Sequence, residues 1–213
     1  MRIWHGGLVC RAMGRPRTAD REANGDPREM ILKSARAEVE KHGILGLRVA
    51  EVAANAHYSV SIIYRYFGDR DGLLAQVLGD LYEEILDRTA KRLASSIPAT
   101  GPLTVDQLIA LAPKPSDAYT NPDLKLRLQI LAVAATNPAL ETRLKTIAQA
   151  RFKLLKEWSA STVARLPEGQ VYDERIFFIV IVNQLLYYNT LLGDDAVTDE
   201  EYYQFLKDKV TKI

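Results

Sequence analysis

Residues 48–74 read RVAEVAANAHYSVSIIYRYFGDRDGLL. Two short amphipathic segments stand out within this stretch. The first runs from Val49 to Ala54, with Val49, Val52 and Ala53 on one face. The second runs from Val60 to Phe67, where Ile63 and Phe67 lie four apart and point inward as core. Between them, Asn55-Ala56-His57-Tyr58 breaks the pattern, and Ser59 stands where a helix N-cap belongs. Two helices joined by a three- or four-residue turn form a helix-turn-helix, a geometry that lays its second helix in the major groove of DNA.

Reading outward, residues 1–26 are polar, rich in arginine and punctuated by glycine, so they are expected to be a flexible basic arm. Asp26-Pro27 reads as a helix start, with Asp26 as cap and Pro27 at the first helical position. Ile31, Ala35 and Val39 then form a stripe that continues to about His42, where Gly43 ends it. Beyond the quoted motif, Asp69 and Asp71 open a longer helix that runs to about Ser95. Helical spacing also covers Leu103 to Leu111, Pro122 to Ala135, Pro138 to about Ala164, Tyr172 to Leu192 and Asp199 to Val210. No alternating strand pattern interrupts them. The expected fold is all-α, with a flexible arm over 1–26, a three-helix head over 27–74 and a helical body over 75–213. The helix-turn-helix itself falls at about 48–67.

Of the 213 residues, 47% are apolar and 26% charged, which suits a soluble globular chain with a sizeable core. The longest apolar run, Ile176 to Val182, is far shorter than a membrane span requires, and no secretory core opens the chain. A single cysteine, Cys10, fits a reducing cytoplasm. The net charge of +1 hides an asymmetry. Residues 1–70 hold 12 Lys/Arg against 8 Asp/Glu, and residues 71–213 hold 16 against 19. A basic N-terminal third on a mildly acidic remainder fits a nucleic-acid-binding head on a body with another task. No catalytic triad, Cys-His pair or phosphate loop is present, so an enzyme is not expected. His5, His42 and His57 lack metal-ligand spacing, and neither a metal nor a cofactor is expected.

The segment Val52 to Leu73 resembles the head of the tetracycline-repressor (TetR) family of bacterial regulators, whose pattern is roughly I-A-x-x-A-G-V-S-x-x-x-x-Y-x-x-F-x-x-K-x-x-L. The same positions hold Val52, Ala53, Ala56, His57, Tyr58, Ser59, Tyr64, Phe67, Arg70 and Leu73. Met13-Gly14-Arg15-Pro16-Arg17 is similar to a family start, which makes Met13 a candidate initiator and residues 1–12 an extension. Three departures stand out. His57 replaces the family's turn glycine at a site expected to need positive φ. Arg48 replaces a threonine that touches phosphate, and Arg70 replaces a lysine.

The resemblance implies a homodimer on a palindromic double-stranded DNA operator, released by a small-molecule effector whose identity the sequence leaves open. The alternative is a ligand-independent DNA-binding protein controlled by a protein partner. Val60, Ser61 and Tyr64 are expected to face the groove, with Ser59, Tyr66, Arg48 and Arg70 near phosphates and Arg15 and Arg17 in the minor groove. Arg65 is left between a surface charge and a DNA contact. For the effector, Tyr119, Phe152, Trp158, Asn183, Gln184 and Tyr187 are candidate pocket residues. For the dimer, Phe177, Phe178, Ile181, Leu185 and Tyr188 lie on a helix apolar around more than one face.

Overall fold

The computed structural model describes residues 26–112, 114, 116–169 and 198–210, excepting the side chains of residues 118, 119, 209 and 210. Among these residues every regular element is a helix. The helices are α1 (Pro27–His42), α2 (Val49–Ala56), α3 (Val60–Phe67), α4 (Arg70–Ser95), α5 (Val105–Ile109), α6 (Asp117–Thr120), α7 (Pro122–Ala134), α8 (Pro138–Val163) and α9 (Asp199–Val210). The chain divides into two compact units, one ending at Tyr66 and the other starting at Phe67. The expected head extended to residue 74. The observed division falls earlier because α4, which begins at Arg70, belongs to the second unit.

Three helices begin with the same device, an Asp or Asn followed by proline. Asp26, Asn121 and Asn137 each accept a backbone N–H of the first turn, while Pro27, Pro122 and Pro138 occupy a position where no N–H is needed. In the first unit the stripe Ile31, Ala35 and Val39 of α1 is buried, as are Val49, Val52, Ala53 and Ala56 of α2 and Ile63 of α3. The Ser34 hydroxyl donates to the Val52 carbonyl at 3.0 Å and ties α1 to α2. Helix α2 extends two residues beyond the expected Ala54. Ala56 is 2% exposed and completes the apolar face at positions 49, 52, 53 and 56, so burial carries the helix through Asn55.

In the second unit, α4 and α8 form the most extensive pairing. A Cβ at Gly79 would stand 2.0 Å from Arg143 Nε, so the glycine leaves room for the Arg143 side chain. The Arg143 guanidinium pairs with Asp80, and Arg151 reaches Glu83 at 3.0 Å and Asp87 at 2.8 Å. On the α7 side, Arg88 makes a two-pronged pair with Asp123 at 2.8 and 2.7 Å. A second core gathers Leu93, Ile97, Leu103, Leu108 and Leu206, with Trp158 packed against it. Helix α5 is shorter than the expected 103–111, because Thr104 caps it in a reciprocal bond with Gln107 and Leu103 serves the core instead. The four-residue α6 was not expected, and Thr198 with Glu201 forms another reciprocal cap before α9.

Candidate nucleic-acid interface

The turn between α2 and α3 is built by hydrogen bonds that the sequence pattern only hints at. The Tyr58 N–H donates to the Ala53 carbonyl at 3.0 Å and the His57 N–H to the Ala54 carbonyl at 3.2 Å. These two bonds are a Schellman closure, which requires a left-handed residue just past the helix. That residue is His57, at φ 60 and ψ 36, among the described residues the one non-glycine with positive φ. The strain expected of a histidine in the glycine position is therefore present. Ser59 then starts α3, its hydroxyl accepting from the Ile62 N–H at 3.4 Å and sharing a 3.0 Å hydrogen bond with the Ser61 hydroxyl.

With Ile63 fully buried, α3 is fixed in rotation about its axis. Ser61, Tyr64, Arg65 and Tyr66 are exposed, with Tyr64 at 42% and Tyr66 at 40%. Val60, Ile62 and Phe67 are half-buried. Arg65 lies one turn beyond Ser61 on the side opposite Ile63, and its Cζ stands 5.5 Å from the Tyr66 ring centroid. Helical spacing could have singled it out, because it repeats the position of Ser61 four residues on. Arg48 precedes α2 in extended conformation (φ −113, ψ 114) and its exposed side chain makes no cap. It stands beside the open N–H groups of the first turn of α2, an arrangement that suits an anion. Arg70 opens α4 in the second unit, where its guanidinium stands 3.8 Å from Asp71. Arg15 and Arg17 lie outside the described residues. One requirement of the head escaped the sequence: Gly46 packs so closely that a Cβ would meet the His42 carbonyl oxygen at 2.3 Å.

Of the candidate effector residues, Phe152 and Trp158 have described side chains. Phe152 is 40% exposed, with Lys156 Nζ 6.0 Å from its ring centroid. Trp158 is half-buried against the second core. The Tyr119 side chain and Asn183, Gln184 and Tyr187 lie outside the described residues, as do Phe177, Phe178, Ile181, Leu185 and Tyr188. A cleft of about 550 Å³ does open between α4 and α8, lined by Gly72, Ala75, Gln76, Thr142, Arg143 and Ile147 among others. Neither Phe152 nor Trp158 is among its described lining residues.

Shifted titrations gather near α9 and have structural causes. The Ser116 hydroxyl holds the Asp199 carboxyl below its ordinary value, and burial pushes the Tyr202 hydroxyl up to about 12. Among the described residues no helix is long and apolar enough to cross a membrane, and no three His, Cys, Asp or Glu side chains gather as metal ligands.

The sequence profile of the bacterial regulatory proteins of the tetR family matches residues 31–77, a span that includes all of α2 and α3. The HTH-type transcriptional repressor SCO4008 of Streptomyces coelicolor is 34% identical over 68 residues, 32% of this chain and 31% of that protein. The HTH-type transcriptional regulator BetI of Burkholderia mallei is 29% identical over 69 residues, 32% of this chain and 35% of that protein. The chain thus spans about a third of the length of the curated relatives it matches. Likeness in fold extends further. The multidrug binding protein EbrR complexed with proflavin aligns over 87% of this chain and 100% of its own, at 20% identity and a TM-score of 0.56. A TetR-family regulator structure from Mesorhizobium loti aligns over 85% of this chain and 92% of its own, at 18% identity and a TM-score of 0.52. Residues 31–77 thus carry the helix-turn-helix of the tetR family of bacterial regulatory proteins, and the chain as a whole is similar in fold to solved structures that include a member of that family.

Proposed function

We propose that the protein is a cytoplasmic transcriptional repressor that binds a palindromic DNA operator as a homodimer and is released by a small molecule held in its helical body. The observation that carries this reading is the α2–turn–α3 unit. Its Schellman closure at His57 and its buried Ile63 fix α3 so that Ser61, Tyr64 and Arg65 are presented outward. A rigid, exposed helix joined by a tight turn to a supporting one is what major-groove reading requires. Arg48, Ser59 and Tyr66 flank the reading surface as phosphate contacts, Val60, Ser61 and Tyr64 meet the base edges, and Arg70 adds charge at the start of α4. Arg15 and Arg17 serve the minor groove.

Two copies of the head would match a two-fold operator with half-sites one helical turn apart, and the 172–192 segment with α8 supplies the dimer contact. Release follows when the effector binds one arrangement of the dimer better than the other; the operator is weakened only by that difference. The fold likeness to EbrR, solved with proflavin, supports a body able to enclose a small aromatic molecule.

The test is a footprint of the purified protein on the DNA upstream of its own gene. A protected palindrome with two half-sites supports the repressor and its dimer together. Absence of protection even at low salt would refute an autoregulator.

A further inference from the structure

Resting on the reading of α3 as the DNA-reading helix, we infer that this helix selects its operator chiefly through the C5-methyl groups of thymines and not through the hydrogen-bonding edges of purines. Side chains that discriminate purines do so with paired hydrogen bonds, arginine or lysine on guanine and asparagine or glutamine on adenine. Residues 59–64, Ser-Val-Ser-Ile-Ile-Tyr, contain none of these. They are also the residues nearest the start of the helix, the part that reaches base edges. Arg65 follows only in the second turn, its guanidinium held 5.5 Å from the Tyr66 ring centroid.

What the first turn offers instead is methyl groups on a rigid frame. Val60 and Ile62 are half-buried, so each keeps part of its apolar surface exposed. Both are β-branched and nearly fixed in χ1 within a helix, so presenting their methyls loses little side-chain freedom. Of the two serine hydroxyls, Ser59 already accepts from the Ile62 N–H, and the two share the hydrogen bond between them. Ser61 therefore keeps only part of its capacity for a base. A serine hydroxyl also serves either donor or acceptor, so it discriminates weakly. An apolar surface in the major groove finds one apolar partner on the base pairs, the thymine methyl.

The experiment leaves the protein intact and changes the DNA. The full chain is used to select bound duplexes from a random pool, and the enriched site is resynthesised in two series. In one, each thymine is replaced by deoxyuridine, which lacks only the methyl; in the other, each purine is replaced by its 7-deaza analogue, which lacks the N7 acceptor. Fluorescence anisotropy reads binding. At one or more positions in each half-site, deoxyuridine is expected to weaken binding about fourfold per methyl removed, while the 7-deaza series leaves it unchanged. Val60→Ala or Ile62→Ala should then make the matching deoxyuridine substitution silent. If deoxyuridine is neutral throughout and a 7-deazapurine weakens binding about tenfold, the inference is overturned while the regulator stands. A pool that yields no enriched sequence overturns the sequence-specific regulator, and the inference with it.

Discussion

Replacing Asn137 with alanine should destabilise the helical body by about 2 kcal/mol, from two separable losses. Asn137 is 4% exposed and works with both ends of its amide. Its Oδ1 accepts the Leu140 N–H at 2.9 Å, closing the first turn of α8. Its Nδ2 donates to the Asp71 carbonyl at 3.0 Å, joining the start of α8 to the first turn of α4. Losing an Asn cap destabilises by about 1 kcal/mol, and losing an ordinary hydrogen bond by about the same. For a unit of this size the sum lowers the melting temperature by about 4–8 °C. Urea unfolding followed by circular dichroism, at one fixed protein concentration, measures the difference directly. Asn137→Ser separates the two losses, since serine caps a helix but does not reach Asp71; it should retain about half of the deficit. The reasoning fails if alanine leaves the urea midpoint where it was, or if serine is as damaging as alanine. The latter would mean that the bond to Asp71 dominates and the cap is idle.

Other consequences follow from single contacts. His57→Gly relieves the left-handed backbone at φ 60 and should stabilise the head by about 1 kcal/mol, read as a higher urea midpoint; a lower midpoint would show that the His57 side chain holds the turn. Tyr64→Ala should weaken operator binding about tenfold with the helical circular dichroism unchanged, because Tyr64 is 42% exposed; loss of helix would make it a core residue. Arg48→Ala should reduce the salt dependence of operator binding by about one unit of slope, and an unchanged slope would remove it from the phosphate contacts. Asp199 accepts from the Ser116 hydroxyl at 2.6 Å and the Ser116 N–H at 2.9 Å, which lowers its pKa on folding despite some desolvation. The contact therefore stabilises the fold above the ordinary value of 3.8 and ceases to do so as pH falls through the lower folded value. Carboxyl NMR titration should show the Asp199 pKa rising in Ser116→Ala, and no change would assign the shift elsewhere.

The elements legible in the sequence were those decided within a few residues. Asp26-Pro27 caps and starts α1 without reference to anything distant, and Ile63 could be placed inside and Ser61 outside because three or four residues of spacing settle a helix face. The end of α2 was misjudged for a related reason. Asn55 looks like a breaker, but the buried face needs Ala56, and only the packed head shows that need. Contacts across long separations left no local trace. Arg143 finds Asp80 63 residues away, across a glycine whose small size matters only once α8 lies on it. The same limit bears on Phe152 and Trp158. Phe152 and Trp158 occupy one helix and one residue class, yet the first stands at the surface and the second packs on the core. A cavity is the space left by several helices together, so no single helix encodes it, whereas a DNA-reading face is one side of one helix. The outward face of α3 is therefore fixed by spacing residue by residue, down to the absence of Arg, Lys, Asn or Gln in residues 59–64.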